Sequence, residues 1–64
     1  MINGTVKVWK SMEGWGFIDG SDGDEYFFNI SNVRKGQKIS LESNVKFDVF
    51  QGQRGPEARN ITLY

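Results

Sequence analysis

The segments Gly14-Trp15-Gly16-Phe17-Ile18 and Tyr26-Phe27-Phe28 decide the fold of this chain. Both are short and aromatic, which is typical of β-strands. Between them, Gly20-Ser21-Asp22-Gly23 supplies the residues of a tight turn, including glycines that tolerate positive φ. The pattern therefore predicts two neighbouring antiparallel strands joined by that turn.

Three of the aromatic side chains are expected on one face of this sheet. Successive side chains of a strand point to opposite faces, so Trp15 and Phe17 lie on the same face. Glycines at the alternate positions let a backbone or a ligand approach closely. Phe27 can join this face while its two neighbours point into the core. A patch of rings on a sheet suits the stacking of flat molecules, of which nucleobases are the commonest in a cell.

The rest of the chain predicts three more strands, without the 3.6-residue period of a helix in any stretch. Ser31-Asn32 is predicted to cap a single helical or 3₁₀ turn. Residues 34–38 form a basic loop, and residues 51–56 a second loop whose glycines and proline prevent regular structure. Five short strands in 64 residues predict an all-β fold, a small five-stranded antiparallel barrel that is closed or nearly closed. The predicted strands are residues 2–10, 15–19, 24–29, 45–50 and 58–63.

The alternation of apolar residues predicts which side chains form the core. If the first strand is regular, Val6 and Val8 face inward, and Trp9 stands on the outer face beside Lys7. The predicted core is Val6, Val8, Ile18, Tyr26, Phe28, Val45, Phe47, Val49 and Ile61.

Length and composition limit the classes of function. Sixty-four residues predict one domain, residues 1–64. Cysteine and histidine are absent, which excludes a disulfide framework and removes the commonest general base and metal ligand. We therefore expect no enzyme activity, no metal and no cofactor. No apolar run approaches about 20 residues, so no membrane span is expected and a cytoplasmic location is predicted.

The net charge is formally zero, from eight basic and eight acidic residues. A neutral chain is poorly suited to a non-specific grip on duplex DNA, which usually needs a strong positive field. The acidic residues cluster around residues 19–25, however, whereas Lys7, Lys10, Arg54 and Arg59 lie in other segments. A positive face is therefore compatible with the neutral total.

Four segments occur in a recognisable order. They are Gly4-Thr5-Val6-Lys7, Gly14-Trp15-Gly16-Phe17-Ile18, Tyr26-Phe27-Phe28-Asn29-Ile30-Ser31 and Gly52-Gln53-Arg54-Gly55-Pro56-Glu57-Ala58-Arg59-Asn60-Ile61. In this order and spacing they resemble the cold-shock domain family, the small five-stranded OB-fold barrels of bacterial cold-shock proteins. That family's two ribonucleoprotein motifs are usually written K-G-F-G-F-I and V-F-V-H-F-S, and its closing segment G-x-R-G-P-x-A-x-N-V. The resemblance covers nearly the whole chain.

The resemblance implies binding of single-stranded RNA or DNA across the outer face of the first three strands. Carried over by position, Trp15, Phe17 and Phe27 match the aromatic platform on which bases stack. Lys7 matches the first-strand lysine, and Arg54 matches the loop arginine near the ligand. The family also implies a monomer.

The chain departs from the family pattern at several of its binding positions. The first-strand W-F of the family is Val8-Trp9 here, so the tryptophan changes face in a regular strand unless a bulge returns it. Glu13 replaces a lysine, and no aromatic residue occupies the loop 34–40. Asn29 replaces the motif histidine and can hydrogen-bond a base edge, and Ile30 replaces a phenylalanine and has no π-face.

We expect Trp9, Asn29 and Ile30 to complete the binding surface, with Trp9 and Trp15 compensating for the missing rings. The sequence leaves open whether Trp9 faces the ligand or the core.

Three other interpretations compete with nucleic-acid binding. Rings such as Phe17 and Phe27 often fill the core of a small β protein, and Lys7 and Arg54 are by default solvated charges. Other apolar residues already supply a core here, which favours an exposed platform. The alternative function is that of an SH3-like barrel whose aromatic groove holds a proline-rich peptide partner. An enzyme is disfavoured because the chain has no nucleophile–base pair and no metal cluster.

Overall fold

The computed structural model describes all 64 residues, Met1–Tyr64, and contains the five strands that the sequence predicts. A 3₁₀ turn follows the third strand, close to its predicted position. No helix is long and apolar enough to cross a membrane. The elements are β1 (Ile2–Lys10), β2 (Trp15–Gly20), β3 (Glu25–Asn29), the 3₁₀ turn (Ile30–Asn32), β4 (Asn44–Gly52) and β5 (Gly55–Leu63).

The strands close into a barrel in the order β1-β2-β3-β5-β4. β1 pairs with β2 and β4, β2 pairs with β3, and β4 pairs with β5, all antiparallel. β3 and β5 run parallel and meet at the partners Phe27 and Glu57. The predicted five-stranded all-β barrel is confirmed, and this one parallel pair is its departure from a wholly antiparallel arrangement.

The core consists of apolar side chains that point into the barrel. Seven of the nine predicted core residues are buried, Ala58 is buried in addition, and no polar or charged side chain is buried. Val8 and Val49 are the two predicted core residues that lie elsewhere. The buried side chains are Val6, Ile18, Tyr26, Phe28, Val45, Phe47, Ala58 and Ile61.

Val49 is 41% exposed, so its prediction as a core residue is wrong. It lies opposite the buried Ala58, as the alternation along β4 requires. β1, however, pairs with β4 only from Asn44 to Phe47. The part of β4 beyond Phe47 therefore has no strand on its β1 side to cover Val49.

A β-bulge at Lys7 changes the course of β1. The pairing with β2 shifts from Val6–Ile18 to Val8–Phe17, so Lys7 is the inserted residue. Cross-strand partners share a face of the sheet, and Val8 therefore lies on the outer face with Phe17. The prediction that Val8 points into the core is wrong because the strand is not regular.

The same bulge turns Trp9 inward. Trp9 pairs with Gly16, and its ring stacks on the core residue Phe28 with centroids 5.3 Å apart and planes at 18°. Gly16 is needed here, since a Cβ would lie 2.2 Å from the carbonyl oxygen of Val8 and 2.9 Å from the Phe28 ring. The expectation that Trp9 stands on the outer face is therefore wrong.

β4 and β5 form a hairpin through a segment that the sequence predicts to be a loop. β4 continues to Gly52 and β5 begins at Gly55, so only Gln53 and Arg54 connect the two strands. Gly55 has a φ of 92°, a conformation that favours glycine, and Pro56 lies in the first residues of β5, where a strand tolerates proline. The loop prediction is wrong for all but the two connecting residues, which place Arg54 at the tip of a hairpin.

Candidate nucleic-acid interface

The outer face of the β2–β3 hairpin carries three aromatic side chains, Trp15, Phe17 and Phe27, which we call the ring platform. Phe17 and Phe27 are cross-strand partners with ring centroids 5.6 Å apart and planes at 72°. The Trp15 ring centroid lies 6.0 Å from that of Phe17 and 6.2 Å from that of Phe27. All three side chains are half-buried, so part of each ring meets solvent. The structure thus brings together the three rings that the sequence predicts on one face.

The platform faces outward because the inward positions of both strands are filled by other residues. Gly16 and Ile18 of β2 are buried, as are Tyr26 and Phe28 of β3. These alternate with the platform residues along each strand. The core is therefore complete without the platform rings.

Arg54 reaches the platform from the tip of the β4–β5 hairpin. Its guanidinium carbon lies 4.6 Å from the centroid of the Phe27 ring, a cation–π contact. Its backbone N–H donates to the carboxylate of Glu57 at 3.2 Å, which fixes the turn. The Arg54 side chain forms no ion pair, so its charge is available to an anion beside the rings.

Asn29 and Ile30 lie at the end of β3, next to the platform. Asn29 is the partner of Trp15 and caps the 3₁₀ turn, its side-chain oxygen accepting the N–H of Ser31 at 3.1 Å. Its backbone N–H donates to the side-chain oxygen of Asn32 at 2.9 Å. The side-chain oxygen is thus engaged in the cap, and the NH₂ group is left for the base edge that Asn29 is predicted to hydrogen-bond. Ile30 is 49% exposed.

Lys7 is exposed at the bulge of β1 and is paired with an acidic residue. Its Nζ lies 3.2 Å from a carboxylate oxygen of Glu42, and both side chains are largely exposed. Glu42 itself has a φ of 71°, and its N–H donates to the carbonyl of Val6 at 2.8 Å. The lysine predicted to meet the ligand is therefore partly neutralised by this carboxylate.

Trp9 is not part of the ring platform. The ring that stacks on Phe28 belongs to the inner side of the barrel wall, and Val8 occupies the outer position beside Phe17. The bulge does not return Trp9 to the outer face. The structure therefore answers the question that the sequence leaves open, because the Trp9 ring faces the core.

Sequence reasoning missed one ring of the same outer face. Phe27, Glu57 and Phe50 are successive cross-strand partners on β3, β5 and β4. The guanidinium carbon of Arg59 lies 4.9 Å from the centroid of the Phe50 ring. The signal in the sequence is the alternation along β4, in which Phe50 shares its parity with the charged residues Lys46 and Asp48.

Two shifted pKa values belong to the turn between β2 and β3, at the end of the hairpin opposite Trp15. The Tyr26 hydroxyl donates to the Asp22 carboxylate, which also accepts the Asp24 N–H at 3.1 Å. Chiefly the Tyr26 bond, and then the Asp24 amide, lower the pKa of Asp22 below its usual 3.8. The same side-chain bond, with burial, raises the pKa of Tyr26 from 10.0 to about 12. The acidic side chains here form no cluster of three or more that could hold a metal ion.

The sequence matches the family model of the 'Cold-shock' DNA-binding domain over residues 2–64. It is 42% identical over 64 residues to the major cold shock protein of Streptococcus pyogenes, covering 97% of this chain and 96% of that protein. It is 41% identical over 64 residues to the cold shock-like protein CspLB of Listeria monocytogenes, covering 97% of each. It is 39% identical over 62 residues to the cold shock-like protein CspC of Bacillus cereus, covering 94% of this chain and 95% of that protein. These matches do not favour the SH3-like alternative. The chain belongs to the cold-shock domain family.

Proposed function

We propose that the protein binds single-stranded RNA or DNA by stacking bases on the ring platform, without catalysis. One observation carries the proposal: Trp15, Phe17 and Phe27 lie within 6.2 Å of one another on the outer face, with the Arg54 guanidinium 4.6 Å from Phe27. Rings offer a π-face to any base, and a guanidinium beside them suits the adjacent phosphate or a further base. Family membership supports the same conclusion.

Stacking accounts for most of the proposed affinity. Base–ring stacking contributes about 1–3 kcal/mol per base, so three rings give about 3–9 kcal/mol before the cost of ordering the strand. A dissociation constant in the micromolar to high nanomolar range corresponds to about 8–9 kcal/mol. Only the upper end of the platform's contribution reaches this value, and only before the cost of ordering the strand, so contacts from Arg54, Asn29 and Ile30 must supply the remainder.

Charge makes a smaller contribution. The chain is neutral overall, and Lys7 is engaged by Glu42, which leaves Arg54 as the cation in contact with the platform. If about two phosphates are neutralised, the logarithm of the binding constant falls with the logarithm of salt concentration with a slope near −1.4, from about 0.7 per phosphate. Binding should therefore persist at moderate salt.

The residues around the platform complete the proposal. Asn29 offers its NH₂ group to an acceptor on a base edge, and Ile30 offers apolar surface next to Gly14, the residue before Trp15. We leave Trp9 out of the stacking surface because its ring packs on Phe28. A base held on a ring cannot pair, so the protein would keep RNA single-stranded. A monomer, a single domain and a cytoplasmic location stay predictions.

The test is a titration of intrinsic tryptophan fluorescence with a single-stranded pyrimidine hexanucleotide, at about 50 and 200 mM salt. We expect saturable quenching, because a base stacked on Trp15 quenches its emission. Phe17→Ala and Phe27→Ala should each weaken binding by about 5- to 150-fold, the equivalent of about 1–3 kcal/mol.

Tyr64→Ala is the matched control, since it removes a ring that is 75% exposed and lies outside the platform. This variant should bind like the unchanged protein, and circular dichroism verifies the fold of all variants. Unchanged affinity in both phenylalanine variants would refute the platform. Competition by a proline-rich peptide would indicate the SH3-like alternative instead.

A further inference from the structure

A single row of cross-strand partners crosses four strands of the barrel wall. It joins Phe17 on β2, Phe27 on β3, Glu57 on β5 and Phe50 on β4. Paired residues share a face of the sheet, so all four side chains belong to the outer face that carries the ring platform. Neighbouring strands lie about 4.8 Å apart, which places Phe50 about 10 Å beyond Phe27 along the row. The outer face that carries the ring platform therefore continues past β2 and β3 onto β5 and β4.

The far end of the row repeats the arrangement at Phe27. The Arg59 guanidinium carbon lies 4.9 Å from the Phe50 ring centroid, as that of Arg54 lies 4.6 Å from Phe27. Neither arginine forms an ion pair. Each position thus combines a half-buried ring with an arginine that forms no ion pair, the two groups that stack a base and attract its phosphate, although Asp48 is the cross-strand partner of Arg59.

Glu57 is the one acidic residue in the row, and its side chain is turned toward the hairpin tip. A carboxylate oxygen accepts the backbone N–H of Arg54 at 3.2 Å. The same carboxylate lies against Gly52, where a Cβ would be 2.1 Å from the oxygen. The charge is therefore drawn to the turn, and the backbone of β5 lies between the two rings.

We propose that Phe50 and Arg59 form an additional nucleotide position, which extends the binding surface across β5 to β4 for longer single strands. This inference rests on the proposed function, because it places a further base of the same strand beyond the platform. It predicts a dependence of affinity on length that the platform alone does not. The competing explanation is that Arg59 packs on Phe50 only to cover the hairpin.

The test compares pyrimidine oligonucleotides of about 4 to 8 nucleotides, within the range of site sizes of OB-folds. Phe50→Leu keeps apolar volume at this position but removes the π-face. We expect Phe50→Leu to bind the shortest oligonucleotide as the unchanged protein does. For the longest, we expect affinity to fall by about 5- to 150-fold, the loss of one stacked base. Arg59→Gln should weaken binding in the same length-dependent way.

Tyr64→Leu is the matched ring-to-leucine control, because Tyr64 lies beside Asn44, at the end of β4 remote from Phe50. It should leave the affinity for every length unchanged. An equal affinity of Phe50→Leu and the unchanged protein for all lengths would overturn the inference, and so would an equal loss for all lengths. Failure of the proposed function is distinguishable. In that case the shortest oligonucleotide would not bind, or would bind Phe17→Ala as tightly as the unchanged protein.

A second measurement uses the unchanged protein and so does not depend on the folding of a variant. Amide NMR shifts are followed during titration with the short and the long oligonucleotide. Both should perturb Phe17 and Phe27, and only the long one should perturb Phe50 and Arg59. Perturbation confined to β2 and β3 with both lengths would overturn the inference.

Discussion

Replacing Trp9 by alanine should destabilise the fold and leave the stacking surface in place. The Trp9 ring packs on Phe28, which is fully buried, with ring centroids 5.3 Å apart. Removing it opens one side of the core. Trp15→Ala removes an indole of the same size from the outer face, where it contacts only the platform rings Phe17 and Phe27 among the aromatics. The two substitutions therefore separate folding from binding.

The magnitude follows from the burial and the stacking of Trp9. Truncation of a buried tryptophan costs about 3–5 kcal/mol, and stacked pairs contribute about 0.5–1.5 kcal/mol of such losses. Trp9 is half-buried, so we expect about 3 kcal/mol, at the lower end. A domain of this size has a free energy of unfolding at the low end of about 5–15 kcal/mol. The substitution therefore removes more than half of the total.

The assay is urea denaturation followed by far-UV circular dichroism, with oligonucleotide affinity measured where each variant is folded. Trp9→Ala should lower the unfolding free energy by about 3 kcal/mol and leave affinity within about threefold once corrected for the folded fraction. Trp15→Ala should lower affinity by at least about fivefold with a smaller loss of stability. Trp9→Phe keeps a ring against Phe28 and should recover most of the stability.

A Trp9→Ala variant as stable as the unchanged protein but as weak in binding as Trp15→Ala would refute this reasoning. That outcome would mean that Trp9 meets the ligand in solution and that the bulge at Lys7 does not hold it inward.

Three further outcomes are expected. Gly16→Ala should destabilise the barrel by about 1–3 kcal/mol or more in urea denaturation, because its Cβ would lie 2.2 Å from a carbonyl oxygen of β1; an unchanged midpoint would contradict that close approach. Tyr26→Phe removes the hydroxyl that lowers the pKa of Asp22. The free energy of unfolding of the unchanged protein should therefore exceed that of this variant, with the largest difference between about pH 4 and 10. The difference should narrow as pH falls through the lowered pKa of Asp22, because protonation removes the favoured carboxylate, and as pH rises from 10.0 through about 12, because ionisation of Tyr26 removes its favoured neutral form. A difference independent of pH would exclude this linkage. Glu42→Gln releases Lys7 from its ion pair and should steepen the salt dependence of oligonucleotide binding by up to about 0.7 in log–log slope, at a cost in stability below about 1 kcal/mol; an unaltered slope would mean that Lys7 does not meet a phosphate.

The β2–β3 hairpin was predictable because its signals are local. Alternating aromatic residues define the two strands, and the residues of the turn between them are of the types that such turns need. That Phe27 shares a face with Phe17 then follows from parity, as does the burial of Phe28 on the opposite, inner side.

The errors fall where distant partners decide the backbone. The bulge at Lys7 depends on how β1 pairs with β2, and the sequence of β1 by itself reads as a regular strand. Exposure of Val49 depends on where β1 stops pairing with β4. Parity along one strand contains none of this information.

The glycines and proline of the β4–β5 segment misled for a different reason. They indicate a break in regular structure, yet the positive φ of Gly55 is what allows the hairpin to close over two residues. A turn-forming residue fixes a sharp reversal as readily as it begins a long loop, and the segment alone does not distinguish the two. Arg54 therefore lies at the tip of a two-residue hairpin turn where the sequence predicts a longer loop.

The parallel contact of β3 with β5 makes the barrel wall uneven in strength. These strands share the bridge between Phe27 and Glu57, and beyond β3 the chain meets β5 again at the bridge between Val33 and Ile61 and where the Gln37 side chain accepts the N–H of Leu63. Every other strand pair is joined over several partners. Local opening of the native state begins where few hydrogen bonds must break, so the seam between β3 and β5 should be the first part of the barrel to open.

Phe27 lies on that seam, with its ring outside and its backbone in the bridge. A strand of nucleic acid bound from Phe17 across Phe27 toward β5 would contact both sides of this seam and hold β3 and β5 together. Opening of the seam and binding of nucleic acid across it would exclude each other. Bound nucleic acid would therefore reduce local opening of β3 from β5, and by the same linkage a more stable seam would raise the affinity for the strand.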